Sequence, residues 1–150
     1  MIIVDANLLL YAYHPRSEHH EPSRMWFESA LAGPEPLRLA WITILAFLRI
    51  STSTRIFEHP LTSGEARMHV TSWLELPTVG IIEPTERHWG ILAELLESGQ
   101  VTGALVMDAA LAALAIEHGA TLCTTDRDFG RFHGLKVFNP LTPTVRPAQM

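Results

Sequence analysis

A handful of short, almost wholly apolar runs restricts this chain to few architectures. Ile2-Ile3-Val4 offers no polar position on either side of its alternation, the pattern of a strand covered on both faces. Leu37-Arg38-Leu39-Ala40, Val79-Gly80-Ile81-Ile82, Ala120-Thr121-Leu122-Cys123 and Lys136-Val137-Phe138 read as further short strands. Helical periodicity fills the segments between them. Asn7–Tyr13 predicts a short helix ended by Pro15. Glu21–Leu31 predicts a second, with Met25, Trp26, Ala30 and Leu31 on one face, and Ile42–Ile50 a third. Thr62-Ser63-Gly64-Glu65 has capping-box spacing and opens a helix expected to reach Leu76 before Pro77. Thr85 is expected to cap the next, which carries Trp89, Leu92, Leu95 and Leu96 on one face. Ala104–His118 is the last, stopped by Gly119. The alternation implies an α/β fold: a three-layer α/β/α sandwich around a mainly parallel sheet. One domain is expected over residues 1–141, followed by an irregular tail, 142–150, containing Pro143 and Pro147.

The 150 residues, 47% hydrophobic and 18% charged, suffice for a core that needs no disulfide or structural metal. Cys123 stands alone in an apolar stretch and is expected to be a buried small hydrophobe, compatible with a reducing cytoplasm. No basic segment precedes the first apolar run. The longest apolar stretch, Leu39–Leu48, contains Thr43 and falls well short of the roughly 20 residues of a membrane span. A cytoplasmic protein with no membrane partner is therefore expected. A formal charge of −5 argues against broad, nonspecific nucleic-acid binding, but not against an enzyme whose carboxylates hold cations. Trp26, Phe27, Trp41, Phe47, Phe57 and Trp73 concentrate in the first half. They are expected to furnish apolar surface for a homodimer and a partner peptide, with Trp26 and Trp73 better read as core.

Three isolated acids carry the chemistry. Asp5 follows the first strand, Asp108 interrupts an otherwise uncharged helix, and Asp126 follows the strand ending at Cys123. An ionised carboxylate in apolar sequence is costly unless solvated, paired or bound to a cation. Ligands of open α/β sheets bind beyond the carboxyl ends of strands, so Asp5 and Asp126 are expected to meet there. Asp108 either caps a helix or points into the same cleft. Asp128 either belongs to a turn with Arg127 or Arg131, or adds a further acid. Asn7 is a helix cap or an orienting amide. Clustered carboxylates with no basic partner nearby in sequence suit a hard cation such as Mg²⁺ or Mn²⁺. With no phosphate-binding glycine loop and no nucleophile elbow, metal-assisted phosphodiester hydrolysis is the reaction class that remains.

Met1–Tyr11, Val106–Ala115 and Gly119–Phe129 together resemble the three signature blocks of PIN domains, and in particular VapC-type toxins of bacterial toxin–antitoxin pairs. The likeness runs over about residues 1 to 141, with order and spacing preserved. It implies a Mg²⁺- or Mn²⁺-dependent endoribonuclease acting on RNA, usually dimeric and silenced by a cognate VapB-like antitoxin. It places metal-ligand roles on Asp5, Asp108 and Asp126 and an accessory acid at Asp128, and it matches Asn7 and Thr125 to small polar residues beside the site. One position departs: Phe47 stands where the family pattern Thr-x-x-x-Glu-Leu supplies a further acid. Arg49 and Arg55, which follow, are candidates for RNA phosphate contact or for a solvated helix end. Two other readings compete. One is a catalytically weak PIN-like module that binds RNA or protein. The other is a phosphatase of haloacid-dehalogenase type, whose Asp-x-Asp pattern Asp5-Ala6-Asn7 lacks.

Overall fold

The structure is a computed structural model describing residues 1–142. Strands β1 (Ile2–Val4), β2 (Leu37–Ala40), β3 (Val79–Ile82), β4 (Thr121–Cys123) and β5 (Lys136–Phe138) form one sheet in the order β3-β2-β1-β4-β5. Every pairing is parallel. The connections supply helices α1 (Ala6–Tyr13), α2 (His20–Ala32), α3 (Trp41–Ser51), α4 (Ser63–Leu74), α5 (His88–Ser98) and α6 (Leu105–Glu117). A 3-10 helix follows β4 at Arg127–Arg131.

Because successive side chains of a strand point to opposite faces, apolar strands covered on both sides build two cores. Ile3, Leu122, Ala40 and Ile82 pack with Leu95 and the buried alanines of α6 on one face. Val4, Cys123, Leu37 and Leu39 pack with residues of α1 to α4 on the other. The three-layer sandwich is thus written in the alternation of the strands themselves. The alanine-rich stretch Ala109–Ala115 lets α6 lie close to the sheet; Ala112, Ala113 and Ala115 are fully buried.

The first-half aromatics are mostly core. Trp73 and Phe47 meet edge-on at 4.9 Å, Phe27 lies 5.6 Å from Trp73, and Tyr13 accepts a 2.8 Å hydrogen bond from the Trp73 indole. Trp26 and Phe57 are half-buried, so of the six aromatics expected to furnish apolar surface only Trp41 is exposed.

Several expectations need correction. On α2, Trp26, Ala30 and Leu31 pack against the core as expected, but the fully buried positions are Ser23 and Phe27, and Met25 is exposed. Trp89 of α5 is 71% exposed instead of sharing the face of Leu95. Thr85 does not cap α5, which begins at His88. A buried acid is the reason. The Glu117 carboxylate at the end of α6 accepts the Thr85 amide at 2.7 Å and lies 2.6 Å from His88 Nδ1, so the loop before α5 is tied to α6. The Thr62–Glu65 capping box forms as expected, but its helix ends at Leu74. The expected C-terminal tail lies, from residue 143, outside the described residues. No helix among the described residues is long and apolar enough to cross a membrane.

Glu117→Ala would leave the Thr85 amide and the His88 ring without their buried acceptor. Each such group costs about 1–3 kcal/mol. Urea unfolding is expected to show a stability loss in that range or above it.

Candidate active site

The strand order changes direction at β1, with β2 on one side and β4 on the other. The loops after β1 and β4 therefore diverge and leave a crevice at their carboxyl ends, the ligand position of open parallel sheets. Asp5 stands at the end of β1 and Asp126 three residues beyond the end of β4, so the register Val4↔Cys123 brings them together across 120 residues of chain.

Asp5 is the N-cap of α1. Its Oδ1 accepts the Ala6 amide at 2.8 Å, and its Oδ2 accepts the Thr124 hydroxyl at 2.7 Å. Burial raises its proton affinity; the bonds from Thr124 and Ala6 work against that rise, and the charge of Asp126 adds to it. The Thr124 hydroxyl also accepts the Asp126 amide at 3.0 Å, so one buried side chain orients both acids. Asn7 donates to Thr125 at 2.8 Å, and its own carbonyl oxygen is buried with no hydrogen-bond partner among the described residues. Asp126 caps the 3-10 helix by accepting the Asp128 amide at 2.9 Å on Oδ1, which leaves Oδ2 for another ligand.

Asp108 lies in the first turn of α6, behind an N-cap, Ala104, that has no side-chain bond to give. It is not the cap. Its carboxyl is pushed up to about 6, first by burial, then by the charges of Asp5, Asp126 and Asp128, with Arg131 opposing. Asp5, Asp108, Asp126 and Asp128 thus form one electrostatic cluster. Among the described residues, no three His, Cys, Asp or Glu side chains converge closely enough to enclose an ion by themselves. The available donors are hard carboxylate oxygens. That set suits Mg²⁺ or Mn²⁺, which keep several waters and need only one or two direct carboxylates.

The third wall is α3. Ile42, Leu45, Ala46 and Arg49, spaced i, i+3, i+4, i+7, line a cavity of about 410 Å³ together with Thr43, Asp5, Ala6, Met107, Asp108 and Leu111. Phe47 falls on a different face, fully buried against Trp73 and Tyr13, and does not stand where the family's extra acid was sought. The departure persists in another form: α3 presents no acid to the cavity, and its charged group there is Arg49. Arg55 lies exposed in the turn after α3 and does not line the cavity.

Sequence reasoning singled out Thr125 but not the hub, Thr124. The buried position of Thr124, directly after β4, was the available signal. The cavity-lining Ala46 and Met107 had none, because only the tertiary placement of α3 and α6 turns them toward the cavity.

Acids gathered at the switch point of a parallel sheet mark an acid-centred α/β domain. The chain belongs to the PIN-domain family, whose sequence profile matches residues 2–135. Ribonuclease VapC37 of Mycobacterium tuberculosis is 45% identical over 140 residues, which cover 93% of this chain and 97% of that protein. Ribonuclease VapC33 of the same species is 36% identical over 94% of this chain and 99% of its own length. VapBC2 from Rickettsia felis, solved bound to a promoter DNA fragment, shares the fold with a TM-score of 0.67 at 20% identity, covering 93% of this chain and 98% of that one. VapBC-1 from nontypeable Haemophilus influenzae does so with a TM-score of 0.67 at 17% identity, over 95% and 100% of the two chains. Family membership sets the haloacid-dehalogenase reading aside.

Two outcomes follow. Because Asp108 binds its proton more tightly folded than unfolded, stability is lost as pH rises from about 4 to about 6 and stays lost above. In chelator, Asp108→Asn is expected to melt higher than the parent at pH 8, with the advantage gone at pH 4. Phe47→Glu buries an unpaired carboxylate in the aromatic core, and thermal melts are expected to show a loss of at least about 3 kcal/mol with no gain in cation affinity.

Proposed function

We propose that this protein is a divalent-cation-dependent endoribonuclease, the toxin of a VapBC-type toxin–antitoxin pair. The observation that carries the reading is identity of 45%, over nearly the whole of both chains, to a protein named a ribonuclease. The arrangement of Asp5, Asp108 and Asp126 around the β1/β4 crevice is the chemistry such an activity needs.

In this reading Asp5, Asp108 and Asp126 hold Mg²⁺ or Mn²⁺, with Asp128 as accessory acid and Asn7 and Thr125 as polar support. The bound cation supplies charge neutralisation at the phosphodiester and a more acidic water. The protein's own residues do the positioning. Thr124 holds Asp5 and the Asp126 backbone in one geometry, and the Asn7–Thr125 bond fixes the neighbouring loop. Asp126 keeps Oδ2 available because Asp128 occupies Oδ1. Arg131 near Asp108 offers fixed positive charge to an RNA phosphate, and Arg49 at the cavity offers a further contact to RNA. The single, buried Cys123 suits the reducing cytoplasm proposed as its compartment.

Cleavage of RNA with Mg²⁺, Mn²⁺ and chelator tests the reading. Cleavage is expected with either cation and absent with chelator. Asn substitution of Asp5, Asp108 or Asp126 should lower it by at least about 100-fold, the order set by removing one preorganised contact to developing charge. Normal cleavage by any one variant removes that residue from the ligand set. The acid-free cavity face of α3 favours one alternative, a weakly catalytic module that binds RNA. Its outcome is RNA retained by the parent protein but uncut.

A homodimer and a VapB-like antitoxin are proposed as partners. Trp41 and Trp89, 51% and 71% exposed, are large apolar side chains that the fold itself leaves uncovered. Light scattering at micromolar concentration is expected to return the mass of two chains; the mass of one would overturn the dimer.

A further inference from the structure

The acids account for one end of the cavity only. The cavity measures about 410 Å³, and its lining runs well beyond Asp5 and Asp108. The rest of the wall is apolar: Ile42, Leu45 and Ala46 from α3 face Met107 and Leu111 from α6. Leu45 and Met107 are 60% and 54% exposed, although each flanks a concavity that a flat ligand would cover. Arg49 closes the same wall, and no salt bridge among the described residues involves it. Thr43 also lines the cavity, and its buried hydroxyl has no hydrogen-bond partner among the described residues.

The walls define the ligand's chemistry. It carries a group that cations join to carboxylates at one end, a body with apolar faces, and an edge rich in acceptors for a guanidinium that only donates. An apolar peptide side chain would cover Leu45 and Met107 but leave Arg49 without a partner. A basic one could pair with Asp5 and Asp108 but would likewise leave Arg49 without an acceptor. A nucleotide meets all three demands, since its phosphate, base faces and base edge fall in that order. Among base edges, guanine sets two acceptors, O6 and N7, side by side for bidentate pairing with arginine.

We propose that this cavity is a base-binding subsite. It seats the base of the nucleotide adjoining the scissile phosphate between Leu45 and Met107, and Arg49 reads its edge with a preference for guanine. The inference rests on the endoribonuclease reading above and adds to it the origin of sequence preference. Unstacked bases of single-stranded RNA are commonly recognised in this way, by packing of the faces and pairing at the edge.

Binding of mononucleotides separates the subsite from the chemistry. The full chain, with Mg²⁺ present, is titrated with the 5′-monophosphates of guanosine, adenosine, cytidine and uridine, and with ribose 5-phosphate. The methyl resonances of Leu45 and Met107 are followed by NMR. Guanosine monophosphate is expected to shift both, at least tenfold more tightly than the other nucleotides, and ribose 5-phosphate to shift neither. Arg49→Met, at an exposed position, should abolish the preference for guanine while weaker base binding remains. Ala46→Phe should fill the cavity and abolish all base-dependent shifts. If that variant fails to fold, Arg49→Met alone decides the edge contact. Equal shifts from ribose 5-phosphate would overturn the proposal in favour of a phosphate site. The absence of any nucleotide-dependent shift would overturn it too, and would assign the apolar wall to a protein side chain. Neither result touches the nuclease reading if the same preparation cuts RNA. Guanine-selective shifts in a protein that never cuts would sink the nuclease reading alone.

Discussion

Pairing of β1 with β4 is the constraint on which the site depends. The ladder continues one step past β1, where the Asp5 amide donates to the Cys123 carbonyl at 3.0 Å. That bond sets the Asp5 carboxylate beside the Thr124 hydroxyl, and Thr124 in turn holds the Asp126 amide. A slip of one residue in this register would turn Val4 and Cys123 to the wrong core and carry Asp5 away from Thr124. Core packing and the geometry of the acid cluster are therefore enforced by the same hydrogen bonds, and the repulsion among the acids is carried by the most buried part of the sheet.

The acids also show how a stable fold tolerates a costly site. Asp108 sits on a helix whose remaining residues are almost all apolar, and its carboxyl is pushed up to about 6 by burial and by three neighbouring acids. The close packing of Ala109–Ala115 on the sheet fixes the helix that carries it, and so fixes the position of the partly buried carboxylate among the other acids. Glu117 at the other end of the same helix has the opposite situation. It is buried yet supplied with donors from Thr85 and His88, and it anchors the loop before α5. One helix thus carries an acid held under the repulsion of its neighbours and an acid satisfied by hydrogen-bond donors.

On α3 the division is between faces. Ile44, Phe47 and Ser51 are buried, while Ile42, Leu45, Ala46 and Arg49 border the cavity. A single step along the helix, about 100° of rotation, separates a core aromatic from a site residue. For this reason Phe47, aligned by pattern with an acid of the family, says little about the site, and Arg49 says more.

The sequence by itself determined the layers and the parallel sheet and singled out the acids Asp5, Asp108 and Asp126, because strand alternation and the cost of stranded charge are local properties of the chain. It determined the capping box at Thr62 for the same reason. Tertiary structure alone decided which helical faces turn inward, and so moved Met25 and Trp89 to the surface, Phe47 to the core and Arg49 to the cavity. It also selected Thr124 over Thr125 as the hub and gave Glu117 its role. Each of these turns on a rotation about a helix axis or on a contact between residues distant in sequence, and the local pattern of apolar residues specifies neither.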